Sequence, residues 1–265
     1  MKRFLLPVLG LLVIAAGYFF YVDNQKALAV KTPEILQVAE QTNDANKPAE
    51  IINPNTSKGV SRPQGAFMLQ PRMPIVESAL QVITKFKTNA QNGDGEAAYM
   101  LSQVLFACQL QIQQSGGLNE IDCSGVTSEQ IAEAEHFLKL AAEKGVTEAQ
   151  LSYPTLASLR FKKAEDIAKN MKAFEQYRTD SMRYLSAAAS SGNVDAMLGI
   201  SNAYKEGTIT EENKIRAYAY MYAANLSGLS RTPTIALARL STEMTPAEIQ
   251  QASSLGKSIY TKCCN

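Results

Sequence analysis

Between Tyr184 and Gly228 apolar residues return every three or four positions, and those at the ends of each run are small. Ala188, Ala189 and Gly192 lead into Ala196, Ile200, Tyr204 and Gly207, and the pattern comes back through Ala217, Tyr220, Ala224 and Gly228. Such spacing predicts two helices folded back on each other, because small side chains let the backbones approach while larger ones fill the groove between them. The same order of residues occurs upstream. Aligning Gly145 with Gly192 places Leu138 on Leu185, Ala141 and Ala142 on Ala188 and Ala189, and Ala149 on Ala196. Aligning Gly93 with Gly145 places Phe86 on Leu138, Ala90 on Ala142 and Ala97 on Ala149. A seam repeated along a chain predicts stacked units, none able to bury its apolar side alone. The intervals between seam glycines are 52, 47 and 36 residues (93 to 145, 145 to 192, 192 to 228).

Caps and breaks predict the remaining elements of an all-α fold. Residues 74–91 read as an edge helix with Ile75, Leu80, Ile83 and Phe86 on one face and Pro74 in the first turn, where proline is tolerated. Residues 94–113 read as a helix with Ala97, Leu101, Val104, Leu105 and Cys108 inward. A Gly/Ser/Asn-rich loop follows and ends at the capping box Thr127-x-x-Gln130, after which Ile131, Ala134, Phe137, Leu138 and Ala141 form one apolar stripe. Thr147 starts another helix, which Pro154 should kink or delay. Residues 163–190 return with Met171, Phe174, Met182, Leu185 and Ala188 inward. Pro233 restarts a short helix, and Thr245-Pro246-x-Glu248 is a capping box with proline at the first helical position. The helix it starts, 245–262, is polar on one face, as suits a terminal cap with water on its far side.

The third unit, Ala196-x-x-x-Ile200-Ser201-x-x-Tyr204-x-x-Gly207 followed by Ala217-x-x-Tyr220-x-x-Ala223-Ala224 and Gly228, resembles the Sel-one-like repeat, a relative of the tetratricopeptide repeat. The first unit matches more loosely, with Ala97, Leu101 and Ser102 in place and Cys108 where the family prefers glycine. The second is looser still, since Tyr153-Pro154 replaces the usual Leu-Gly. The resemblance covers residues 93–228. It implies a right-handed α-solenoid of about three helical hairpins with a C-terminal capping helix, used as a protein-interaction scaffold, often in bacterial envelopes, without chemistry or a cofactor of its own. On that reading an extended segment or a domain of another envelope protein lies along the inner helices, and Tyr99, Gln103, Met197 and Asn202 are the partner-binding candidates.

The amino terminus is different material. Lys2 and Arg3 precede an uncharged run, Phe4 to Val22, whose nineteen residues would span roughly 28 Å as a helix. That is long for a cleavable signal core, and Tyr18, Phe19, Phe20 and Tyr21 suit the far interface of an anchor. Residues 1–22 are therefore expected to be a signal anchor, with the positive end in the cytoplasm and the rest of the chain on the periplasmic side of a bacterial inner membrane. The alternative is a cleaved signal, since Ala27-Leu28-Ala29 has the small-x-small pattern a peptidase accepts, which would release the chain to the periplasm. No cysteine lies near the end of the apolar run, which argues against a lipid-modified terminus. Residues 23–74 hold six of the ten prolines and no sustained periodicity, and read as a disordered Pro-rich linker with an r.m.s. span on the order of 40 Å. Residues 75–265 form the predicted repeat domain.

Composition narrows the function. A hydrophobic content of 46% suffices for a sizeable core, and a net charge of +1 implies no nucleic-acid partner. Cys108 and Cys123 lie 15 apart across a loop (123 minus 108), and outside the cytoplasm a disulfide there would stabilise the fold by roughly 3 kcal/mol. No histidine lies near them and no paired spacing points to a metal. Cys263 and Cys264 are adjacent, and vicinal bridging, cross-linking of two chains and free thiols all stay open. His136 is the one histidine; Glu133, Glu135 and Lys139 around it suggest an exposed helix position, and no serine or cysteine motif accompanies it. Gly116-Gly117 lacks the Lys-Ser/Thr of a phosphate loop, and Glu211 with Glu212 suits a helix start. Tyr99, Tyr153, Tyr204, Tyr218, Tyr220 and Tyr222 either line a concave groove or pack between helices. The competing function, a cell-wall enzyme or the regulatory subunit of a peptidoglycan-acting enzyme, requires convergent carboxylates or a base beside a nucleophile.

Overall fold

The computed structural model describes residues 65–69, 77–113, 121–230 and 232–264. Among them the regular structure is helical, with one isolated β-bridge and no strand. The expected anchor over 1–22, the cleavage site at Ala29 and the linker apart from Gly65–Leu69 lie outside the described residues. No described helix is long and apolar enough to cross a membrane.

Helix α1 is Ala79–Gln91. It is capped by Ser78, whose Oγ accepts from the Gln81 amide (3.3 Å) while Gln81 Oε1 accepts from the Ser78 amide (2.9 Å); the expected start at Pro74 lies outside the described residues. Its buried residues are Ala79, Val82, Ile83 and Ala90, and Leu80, expected inward, is 41% exposed. Helix α2, Gly95–Gln113, begins where Asp94 Oδ1 accepts from the Glu96 and Ala97 amides, and buries Ala97, Leu101, Val104, Leu105 and Cys108 as expected. The Thr127–Gln130 box starts α3, Ser128–Ala132. The single stripe predicted beyond it is broken at Glu133, whose amide bonds the Gln130 carbonyl, and the chain resumes as α4, Ala134–Glu143.

Helix α5 is Thr147–Leu156 and holds Pro154 in its last turn without breaking; only afterwards does the chain tighten into a 3-10 turn, Ala157–Arg160. The return expected over 163–190 is two helices, α6 at Ala164–Lys169 and α7 at Met171–Ser190, parted at Asn170, whose amide closes the α6 end on the Ile167 carbonyl. Met171, expected inward, opens α7 and is 51% exposed. The next hairpin pairs α8, Val194–Glu206, with α9, Lys214–Leu226, each capped by an asparagine: Asn193 Oδ1 accepts from Ala196 N and Asn213 Oδ1 from Arg216 N. Helix α10, Thr232–Ser241, and helix α11, Pro246–Cys264, complete the chain. Helix α11 starts at the predicted Thr245–Glu248 box.

Packing follows chain order. α1 lies on α2, α2 on α4, α4 on α5, α5 on α7, α7 on α8 and α8 on α9, while α9 carries both α10 and α11. The hairpins α2–α4, α5–α7 and α8–α9 thus bury their apolar faces against the units before and after them. One core runs from Val82 on α1 to Ala224 on α9, and a smaller cluster of Tyr218, Met221, Leu237 and Ala252 sits beneath the last two helices. Helix α11 lies close on α9: a Cβ at Gly256 would come 2.6 Å from the Ala219 carbonyl oxygen.

The seam glycines close successive helices in one way. Gly93, Gly145 and Gly192 follow α1, α4 and α7 with φ of 90°, 85° and 92°, a region side chains disfavour. The amide after each glycine reaches back over five residues, Asp94 to Asn89 O at 3.0 Å, Val146 to Ala141 O at 3.1 Å and Asn193 to Ala188 O at 3.1 Å. Residues aligned through these glycines share one fate. Ala90, Ala142 and Ala189 are buried, as are Ala97, Ala149 and Ala196. Gly228 ends α9 with φ 66° and bonds Asn225 O alone, a looser version of the corner.

Candidate interaction site

The first helix of each hairpin carries a polar residue ten positions past its corner glycine: Gln103 on α2, Thr155 on α5 and Asn202 on α8. Gln103 is half-buried, and Thr155 and Asn202 are exposed. α2 touches α5 and α5 touches α8, so the three positions sit on successive, neighbouring helices. Thr155 escaped the sequence reading because Tyr153-Pro154 departs from the repeat pattern; counting from the corner glycine finds it. Two of the four partner-binding candidates are corrected. Met197 is 0% exposed and Tyr99 only 7%, so both pack in the core and offer a partner almost nothing.

Of the six candidate tyrosines, Tyr99, Tyr153 and Tyr218 are buried between helices, while Tyr204, Tyr220 and Tyr222 stay half-buried. Tyr153 and Tyr184 are both 1% exposed and meet edge to face at 4.9 Å, joined by Tyr177, Phe161 and Phe174. The Tyr177 hydroxyl donates to Pro154 O at 2.7 Å, which ties α7 to α5. Burial, then Glu143, pushes the Tyr184 hydroxyl up to about 12. On the α8–α9 hairpin Tyr204 and Tyr220 stack at 6.1 Å, and Arg216 covers Tyr204 while donating to its hydroxyl at 2.8 Å.

An ion network bridges α4 and α7. Asp180 is 2% exposed and accepts from Lys139 Nζ at 2.9 Å and from Arg183 Nη2 at 2.8 Å. Burial acts to raise its carboxyl, but the hydrogen bonds from Arg183 and Lys139 together outweigh it and hold Asp180 below the ordinary range. Glu135 is shifted the other way: burial raises it, opposed by Arg160 at 2.9 Å. Both carboxylates are matched to cations and serve to join elements. His136 is exposed, edge-on to Phe137. Among the described residues no group of three or more His, Cys, Asp or Glu could hold a metal ion. A shallow cavity of about 470 Å³ lies at the α6–α7 break, lined by Lys169, Asn170, Met171, Lys172, Ala173 and Gln176, without an acid or a base pair.

The expected disulfide is formed: Cys108 and Cys123 are bonded at 2.09 Å, joining α2 to the segment before α3. Of the three states open to the last pair, Cys263 and Cys264 adopt the vicinal bridge at 2.07 Å. Five residues of the predicted linker, Gly65–Leu69, lie on the fold, where Phe67 pairs with Asn193.

No family model matches the chain, and no curated protein matches it. Among solved structures, the chain is similar to the crystal structure of a protective antigen present in uropathogenic Escherichia coli strains and displaying an SLR fold, at 17% identity and a TM-score of 0.36, with 70% of this chain and 42% of that chain covered. The chain thus spans less than half the length of that antigen.

Proposed function

We propose that the helical domain is a right-handed solenoid of Sel-one-like hairpins that acts as a protein-interaction scaffold in a bacterial envelope. Its tether is the segment before α1, anchored in the inner membrane by residues 1–22, with the domain on the periplasmic side. The observation that carries this reading is the recurrence of one glycine corner with the same backbone bond at 93, 145 and 192, which sets successive hairpins in register. A register of this kind would give equivalent helices a common side, with Gln103, Thr155 and Asn202 in a row along it for an envelope protein's extended segment or domain to occupy. The Cys108–Cys123 bridge suits an oxidising compartment.

A photo-cross-linking residue placed at Thr155 or Asn202 in cells should yield the same adduct, and one at Ser186, exposed on α7, should not. Adducts of equal yield from Ser186 would contradict the scaffold face. No adduct from any position, together with degradation of cell-wall polymer by the purified protein, would favour an enzyme.

A further inference from the structure

The Gly192 corner differs from its sisters. At Gly145 a Cβ would meet nothing within 4 Å, whereas at Gly192 it would lie 2.5 Å from Gly65 O and 3.5 Å from Cys264 Sγ. Residues 65–69 fill that space as an extended strap. The Phe67 amide donates to Gly192 O and the Val194 amide to Phe67 O, both at 2.9 Å, while Ala66 and Met68 pack half-buried on the core that includes Cys264. The strap is poorly matched at one point. Asn193, which pairs with Phe67, is 0% exposed; its Oδ1 caps Ala196, but its Nδ2 has no acceptor among the described residues. An enclosed amide donor without an acceptor opposes closure, while the two backbone bonds and the packing of Ala66 and Met68 favour it, and Cys264 Sγ stands at the same corner.

We infer that the Cys263–Cys264 bridge is a redox latch on this strap. The ring closed between adjacent residues fixes the Cys264 side chain against the Gly192 corner. Cys263 is half-exposed and Cys264 only 8% exposed, so the thiolate of a dithiol reductant attacks Cys263 Sγ and expels Cys264 as a thiolate. The second thiol of the reductant then attacks the mixed disulfide. The reductant leaves as its own disulfide, two electrons pass to the protein, and both cysteines end as thiols with the two protons the reductant gave up. Released from the ring, Cys264 turns away, water reaches Asn193 Nδ2 and the strap lifts, freeing the chain before α1 from this corner.

Amide hydrogen exchange on the full chain tests the latch. Replacing both cysteines (Cys263→Ser with Cys264→Ser) leaves the Cys108–Cys123 bridge in place and should speed exchange at Phe67 and Val194 by about tenfold or more, with amides inside α4 unchanged. Equal rates at both amides in the bridged and serine forms would overturn the inference. During titration with dithiothreitol the faster exchange should track loss of the Cys263–Cys264 bridge in peptide maps; tracking of Cys108–Cys123 instead would overturn it. Phe67→Pro removes the bridge donor and touches no cysteine, so Val194 should exchange fast there in either redox state. A Val194 rate that still depends on Cys263 and Cys264 in that variant would show α11 acting on the corner without the strap, which also overturns it.

Discussion

The hairpins α5–α7 and α8–α9 leave like corners, Gly145 and Gly192, and then fill their grooves by different means. In α8–α9 the seam is small: Ala196, Ala217 and Ala224 bring the backbones close enough for Ser201 Oγ to donate across to Ala217 O at 2.7 Å. In α5–α7 the equivalent of Ile200 is Tyr153, eight positions past the corner, and Tyr177, Tyr184, Phe161 and Phe174 fill the groove beside it, Phe161 arriving at the end of the 3-10 turn. The two hairpins share the corner, and the residue at the eighth position differs with what fills the groove. The hairpin α5–α7 thus carries Tyr153-Pro154 where α8–α9 has Ile200-Ser201, with the aromatic set packed beside it.

The largest expected effect comes from breaking that set. Tyr153→Ala should cost about 3–5 kcal/mol in chemical denaturation, because a fully enclosed ring is removed from a rigid aromatic block and its cavity cannot collapse. A loss below about 1 kcal/mol would mean the block is loosely filled and the comparison wrong. The corners come next. Gly145→Ala carries only the left-handed backbone penalty, about 1–2 kcal/mol, since its Cβ enters open space. Gly192→Ala adds a backbone clash with Gly65 and should cost roughly 1 kcal/mol or more beyond that; equal losses at the two glycines would show that the strap does not press on the corner.

The smallest effect sharpens the role of charge in α5–α7. Asp180 has a depressed folded pKa, so its contribution is present above its unfolded value near 3.8 and is lost as pH falls through the folded value. Asp180→Asn should lower stability by about 1 kcal/mol at neutral pH, a modest figure because Lys139 and Arg183 keep contact with water. It should also flatten the stability-versus-pH curve below about pH 4. An unchanged acid slope in denaturation at stepped pH would show that other carboxylates set it.

What the sequence made legible has local chemical causes. The corners could be read because positive φ demands glycine, the starts at Thr127 and Thr245 because capping boxes are short-range, and the Cys108–Cys123 pair because it spans one loop. The breaks at Glu133 and Asn170 could not, since backbone bonds close those turns without a marker residue. Tyr99 and Met197 were misplaced as partner contacts because a helix packed on several neighbours has little free surface, and which residues face outward depends on the neighbours as much as on spacing. Thr155 was missed when Pro154 obscured the register. The strap was invisible for a different reason: residues 65–69 have no periodicity and find their partner far along the chain at Asn193.

If Gly145 and Gly192 are equivalent corners, the chain between them is a removable unit. Excising residues 146–192 joins Gly145 to Asn193 and leaves one well-formed corner between α4 and α8. Urea denaturation of the shortened chain, followed by circular dichroism, should show a single cooperative transition at lower stability, with helical signal per residue close to that of the full domain. A broad, non-cooperative loss of a weak helical signal would contradict the stacked-hairpin account.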